Sequence, residues 1–228
     1  MKKIRSVLIA NRGEIAIRIA KTLADMGIKT FGIYPDDDVS SAHLSYMEKN
    51  LALSGFGSRA YLSIHEIIKL SLDNKIDAVH PGYGFLSESE EFSHQCEKNS
   101  IIFLGPNKKI LKRFGNKQET KILAQKLGIP TCRTHKEVTS VNDIQNFYKE
   151  IDGNNIILKS IYGGGGRGSR LIKSSDNLEE ILSIVKKEAK AFSGLSHIFA
   201  EEFIDNARHI EVQIVGDGKK CMHFFERD

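Results

Sequence analysis

The chain has 228 residues, 40% apolar and 27% charged, with 33 Lys and Arg against 29 Asp and Glu for a net charge of +4. That balance is ordinary for a folded globular protein and excludes collagenous, disordered and disulfide-framework chains. The small, evenly spread positive excess argues against a nucleic-acid surface, and no run approaches the roughly 18 apolar residues of a membrane span.

The start, Met1-Lys2-Lys3-Ile4-Arg5-Ser6-Val7, is basic, but its apolar run stops at Asn11-Arg12-Gly13-Glu14. Lacking a signal-peptide core and cleavage site, it predicts a cytoplasmic location. Residues 4–10 read as a strand turned by Asn11-Arg12-Gly13. Ile15, Ala16, Ile19, Ala20, Leu23 and Met26 then recur at helical spacing, and Gly27 closes that helix. Strands follow at 29–34, 51–53, 78–80 and 101–104, with helices at 64–72 and 88–98. Strand and helix alternating over short turns predict an open parallel sheet covered on both faces. Its carboxyl edge, the ligand side of such sheets, carries Asn11-Arg12-Gly13 and Pro81-Gly82-Tyr83-Gly84.

Beyond residue 115 the rhythm changes. Helices are expected at 117–127 and 141–151, and strands at 156–161 and 170–173 joined through the glycines of 163–168. Asp176-x-x-Glu179 reads as a capping box before a helix carrying Leu178, Ile181, Leu182, Val185, Ala189 and Phe192. Strands at 198–204, 210–215 and 221–226 complete an α+β arrangement, with a boundary near 106–130. Cys96, Cys132 and Cys221 are too widely spaced for a C-x-x-C pair, and their odd number fits a reducing compartment.

Tyr162-Gly163-Gly164-Gly165-Gly166-Arg167-Gly168-Ser169 is the most informative segment. Five glycines in six positions cost conformational entropy unless the backbone must approach something closely. Successive N–H groups without side chains suit an anion nest. The dinucleotide fingerprint fails because a strand, not a helix, follows; a Walker A loop fails because no Lys precedes Ser169. A glycine flap at a hairpin tip and an unstructured surface loop remain. Lys159, on the strand before the glycines, is a natural phosphate partner or an ordinary solvated lysine. Lys117 follows the N-cap pattern Asn116-x-x-Glu119, where the helix dipole disfavours a cation unless an anion binds. In Arg208-His209-Ile210-Glu211-Val212-Gln213-Ile214, the polar residues His209, Glu211 and Gln213 share a face that is either solvated or lines a site. Ile210, Val212 and Ile214 are expected to face the core.

At these residues the sequence resembles biotin carboxylase, the ATP-grasp component of acetyl-CoA, acyl-CoA and pyruvate carboxylases. The segments are Ile9-Ala10-Asn11-Arg12-Gly13-Glu14-Ile15-Ala16, His80-Pro81-Gly82-Tyr83-Gly84-Phe85-Leu86-Ser87-Glu88 and Phe103-Leu104-Gly105-Pro106. Gly115-Asn116-Lys117, Lys159 with 162–168, Arg208-His209-Ile210-Glu211-Val212-Gln213 and Glu226-Arg227-Asp228 complete the set in family order. The resemblance implies α/β architecture: a Rossmann-like pre-ATP-grasp parallel-sheet domain (1–112), an α+β ATP-grasp flap domain (113–203) and an incomplete start of the catalytic domain (204–228). It implies ATP-dependent carboxylation of carrier-bound biotin by bicarbonate through carboxyphosphate, with Mg2+ neutralising the phosphates, in fatty acid biosynthesis or anaplerosis. The implied partners are ATP, bicarbonate, a biotin carboxyl carrier protein and a carboxyltransferase, with a homodimer at full length and no nucleic acid or membrane.

By the same resemblance Lys117 and Lys159 bind ATP phosphates, and Gly165 and Gly166 cover them. Glu201, Glu202, Phe203 and Ile204 form the interdomain strand at the adenine, with His209 near the ribose and phosphates. Glu211 supports the bicarbonate side, and Tyr83 faces the biotin pocket. Asn116 stands where the family usually has Asp, Ser169 where an apolar residue packs on adenine, and Ala207 where proline is frequent. Family members continue past Glu-Arg-Asp to the magnesium ligands, bicarbonate-binding residues and catalytic base, so no metal ligand is expected here. The chain is expected to be a front half without carboxylase turnover of its own. The other readings are a non-catalytic nucleotide-binding or assembly module, and an ATP-grasp ligase of the carbamoyl-phosphate or purine type. Phe114 and Tyr162 are closer to pyruvate carboxylase.

Overall fold

A computed structural model describes residues 3–160, 169–173, 176–194 and 196–228. The expected glycine flap at 162–168, Gly165 and Gly166 included, therefore lies outside the described residues, as does the side chain of Phe192. The chain divides into two compact units, Met1–Thr120 and Lys121–Asp228.

In the first unit, β1 (Ser6–Ile9), α1 (Gly13–Asp25), β2 (Lys29–Tyr34) and β3 (Lys49–Ala52) are followed by α2 (Gly57–Ala60) and α3 (Ile64–Asp73). Then come β4 (Ala78–His80), α4 (Glu90–Lys98), β5 (Ile102–Phe103) and α5 (Lys108–Gly115). The strands form one parallel sheet in the order β3-β2-β1-β4-β5. Side-chain alternation along β1 sorts its residues between two cores. Val7 and Ile9 pack with Ala16, Ile19, Ala20 and Leu23 of α1, while Leu8 and Ala10 pack with Ile67, Ile68, Phe92 and Cys96 from α3 and α4. Both faces of the sheet are thus covered, as the apolar strands require. Burial pushes the Cys96 thiol up to about 12, the behaviour of an inert core cysteine.

Helix α5 was not expected. Its eight residues, Lys-Lys-Ile-Leu-Lys-Arg-Phe-Gly, set Ile110, Leu111 and Phe114 on one face but bury only Leu111, and about two turns are too few for that pattern to repeat. A local cap supplies the missing signal: the Asn107 side chain accepts from the Ile110 amide at 3.1 Å.

The second unit begins within α6 (Lys117–Lys126) and continues through β6 (Thr134–His135), α7 (Val141–Glu150) and β7 (Ile156–Ser160). It ends with β8 (Ser169–Ile172), α8 (Leu178–Ser193), β9 (Ile198–Glu202), β10 (Glu211–Gly216) and β11 (Cys221–Arg227). Strands β6-β9-β7-β8 make an antiparallel sheet, and one of its faces is buried under α7 and α8. Ile156, Leu158, Ile198 and Ala200 meet Ile144, Phe147, Leu182 and Val185 there. The α7 N-terminus is a capping box: Ser140 accepts from the Asp143 amide, and Asp143 accepts from the Ser140 amide.

Three expectations are corrected. Asp176 does not cap α8; its carboxylate accepts from the Lys173 amide, and Asn177 one residue later is the N-cap, accepting from the Glu180 amide. The strand expected at 198–204 stops at Glu202, leaving Phe203 and Ile204 beyond its end. Ile210, Val212 and Ile214 face no core: all three are about half exposed, and β10 pairs with β11 in a two-stranded hairpin. In that hairpin the single residue Gln213 lies between paired Val212 and Ile214, while Phe224 and Phe225 lie between their partners. This is a bulge, and Phe225 takes a positive φ of 62° within it.

Candidate functional site

The face of the second unit's main sheet opposite α7 and α8 gathers charge. Along β7, Ile156, Leu158 and Ser160 are buried in alternation with Ile157 and Lys159, which therefore point to the opposite face. The register sets Ile157 opposite Glu201 on one side of β9 and Thr134 opposite Glu201 on the other. Glu201 thus shares its face with Lys159, two residues on from Ile157. Lys159 Nζ donates to Glu201 Oε1 at 2.6 Å, and Lys121 Nζ, from α6, donates to Oε2 at 2.9 Å and to the Thr134 hydroxyl. The three charged side chains are mostly buried. Burial raises the Glu201 carboxyl, but the hydrogen bonds from Lys159 and Lys121 outweigh it, and the group sits below its ordinary value. Glu201 is therefore an anion held by two cations.

Glu202, one residue on, turns its carboxylate elsewhere. Arg133 grips it in a fork, Nε and Nη2 donating at 3.0 and 3.1 Å, and Asn154 adds a third bond at 2.9 Å. Arg133 first, and Asn154 next, hold this carboxyl at about 2. The amides of Glu202 and Phe203 donate to the carbonyls of Arg133 and Asn155. Ile204 is exposed just past the strand.

The other expected residues are placed as follows. Lys117 opens α6, and the Asn116 side chain caps that helix by accepting from the Gln118 and Glu119 amides at 3.0 and 3.2 Å. His209 is almost fully exposed, its Nε2 4.0 Å from Glu211, whose carboxylate also pairs with Arg227. Among the described residues no hydrogen bond or ion pair joins His209 or Glu211 to Lys159 or Glu201. The structure therefore brings Lys159 and Glu201 together and leaves the His209–Glu211 pair in the separate hairpin.

In the first unit the loops after β1 and β4 meet at the carboxyl edge of the sheet, on either side of the point where strand order reverses. Asn11 is buried there, and its Nδ2 donates to the carbonyls of Pro81 and Tyr83 at 2.8 and 2.7 Å. Gly82 takes φ +66° against it; a Cβ at that position would lie 2.6 Å from Asn11 Nδ2. The His80 ring accepts from the Gly82 amide at 3.0 Å, and burial lowers its pKa. Tyr83 itself is exposed, and its hydroxyl donates to Glu14, which raises the phenol's pKa. Beside them Asp38 accepts from Arg12 Nη2 and Nε and, at 2.7 Å, from the Tyr61 hydroxyl. Arg12 dominates and holds the Asp38 carboxyl at about 2.

Sequence reasoning missed Lys121, Thr134 and Arg133, and the Asp38–Tyr61 pair. Only Lys121 left a signal: it stands four residues after Lys117 and so shares a face of α6 with it. Among the described residues no group of three or more His, Cys, Asp or Glu is placed to hold a metal ion. No helix among them is long and apolar enough to cross a membrane.

Comparison with known proteins follows the same division. The family described as "Biotin carboxylase, N-terminal domain" matches residues 3–111, and "Carbamoyl-phosphate synthase L chain, ATP binding domain" matches 116–228. Pyruvate carboxylase of Bacillus subtilis is 40% identical over 231 residues, covering 100% of this chain and 20% of the relative. The biotin carboxylase domain dimer of Hydrogenobacter thermophilus 2-oxoglutarate carboxylase, solved with MgADP, ADP and bicarbonate, superposes with a TM-score of 0.93 at 32% identity. That match covers 99% of this chain and 50% of the solved one. The biotin carboxylase–β,γ-ATP complex of Campylobacter jejuni gives 0.92 at 35% identity, covering 97% and 50%. The chain thus spans a fifth of the B. subtilis relative and half of each solved chain. The chain thus carries a biotin carboxylase N-terminal domain followed by an ATP-binding domain of the carbamoyl-phosphate synthase L-chain type.

Proposed function

We propose that this chain supplies the nucleotide-binding part of an ATP-dependent biotin carboxylase. The overall reaction is ATP + bicarbonate + carrier-bound biotin giving ADP, phosphate and carboxybiotin, with a carboxyltransferase passing the carboxyl group on. The observation that carries the reading is the Lys121–Glu201–Lys159 cluster on the sheet face opposite α7 and α8, with Lys159 close in sequence to the glycine segment. In the proposal Lys117 and Lys159 hold ATP phosphates, and Gly165 and Gly166 close over them. The adenine lies along 201–204. The backbone of that segment and the Glu201 side chain meet the adenine. His209 approaches the ribose and phosphates, Glu211 supports bicarbonate, and Tyr83 faces biotin.

The reaction needs charge stabilisation where phosphate negative charge develops, and preorganised lysines supply it. Domain limits of 1–112, 113–203 and 204–228 belong to the same proposal, as do a cytoplasmic setting, a biotin carboxyl carrier partner, homodimerisation and use of Mg2+. Titration calorimetry with ATP tests it. The chain is expected to bind ATP, and Lys159→Ala to weaken binding at least tenfold, a typical loss for a charge-assisted phosphate contact. Absence of ATP binding by the unmodified chain would reject the nucleotide site and leave an assembly role.

A further inference from the structure

Glu201 uses both carboxylate oxygens, one for Lys159 and one for Lys121. A structural ion pair in a mostly buried place needs one lysine to neutralise one carboxylate. Here there are two, so the cluster keeps a surplus positive charge on the sheet face opposite α7 and α8. The two lysines are held differently. Lys121, only 15% exposed, is fixed by both Glu201 and the Thr134 hydroxyl, on adjacent strands β9 and β6. Lys159, at 27%, is held by Glu201 and stands at the end of β7 nearest the glycine segment.

This asymmetry has a mechanical consequence. A lysine cannot leave a buried carboxylate without exposing that carboxylate to the cost of an uncompensated charge. With Lys121 in place, Glu201 stays paired when Lys159 departs. We propose that Lys121 is a positioning residue: it retains Glu201 so that Lys159 can exchange this carboxylate for a phosphate oxygen of a bound nucleotide. Lys121 need not touch the nucleotide. Its effect passes through Glu201, whose carboxylate would otherwise compete with phosphate for the Lys159 ammonium. The inference rests on the nucleotide-site reading above.

The test is ATP affinity by calorimetry for the unmodified chain, K121M, K121R, E201Q and the K121M/E201Q double variant. K121Q, which keeps a donor for Thr134, replaces K121M should the latter unfold; amide NMR spectra report folding for each. K121M is expected to weaken ATP by about tenfold, the usual size of a coupling between groups. K121R, a cation of similar reach, should restore most of the loss. In the E201Q background no carboxylate anion competes for Lys159, so adding K121M should change ATP affinity less than about twofold. Carbon-13 NMR titration of Glu201 should show its carboxyl moving upward in K121M, whether or not nucleotide is present. An unchanged ATP affinity in K121M, or an equal loss with and without Glu201, overturns the role of Lys121 while leaving the nucleotide site standing. Failure of the unmodified chain to bind ATP overturns the nucleotide-site reading itself, and the exchange with it.

Discussion

Replacing Gly82 by alanine should expose how the loops at the sheet edge are locked. Gly82 has φ +66°, a conformation that costs an L-residue roughly 1–2 kcal/mol. The new Cβ would stand 2.6 Å from Asn11 Nδ2, 3.0 Å from Cγ and 3.1 Å from Cβ, so the Asn11 side chain must move. Asn11 is buried, and moving it breaks its hydrogen bonds to the Pro81 and Tyr83 carbonyls, each worth about 1 kcal/mol net. The sum is ~3–4 kcal/mol for Gly82→Ala. In an Asn11→Ala background the two nearest atoms are gone and the bonds are already lost, so the same substitution should cost only the backbone strain, ~1–2 kcal/mol. The assay is urea unfolding of the four proteins of the cycle, with amide hydrogen exchange in β1 and β4 reporting the first unit separately. Costs that add to within about 0.5 kcal/mol would refute the steric lock.

Two further outcomes are expected. Arg12 holds the Asp38 carboxyl at about 2, below its unfolded value of about 4. The contribution is therefore complete above about pH 4 and lost as pH falls toward 2. With Arg12 nearly half exposed, it should amount to only about 1 kcal/mol. Asp38→Asn should flatten that acid limb in urea unfolding measured from pH 2 to 5, and an unchanged limb would contradict the pairing. In the second unit, Leu158→Ala removes a fully buried side chain between α7, α8 and the sheet and should cost about 3 kcal/mol. Leu171→Ala, on the exposed side of β8, should cost less than about 1 kcal/mol in the same thermal or urea melt.

Much of the architecture was legible because it depends on local periodicity. The strand at 29–34 and the helix at 141–150 follow from alternation, stripe and cap, which a sequence carries within a few residues. The capping role of Asn116 was legible for the same reason. Helix α5 was not, because about two turns are too short for the apolar face of Ile110, Leu111 and Phe114 to repeat. The alternation of 208–214 was legible, but not its outcome. Periodicity names the apolar face of β10 without telling whether another layer covers it, and here Val212 and Ile214 remain exposed.

The small net charge of +4 was sufficient to turn attention from nucleic acid toward a few individual lysines, and the order of motifs was sufficient to point to the family. Which lysines share a carboxylate was a matter for the tertiary structure. Lys121 and Lys159 are separated by 38 positions, and each is further from Glu201 than any local pattern reaches. The antiparallel register, with Thr134 and Ile157 on either side of Glu201, brings Lys159 and Glu201 to one face, and Lys121 reaches the same carboxylate from α6. Secondary structure is encoded by neighbours along the chain, whereas a site is made by strands that pair across it.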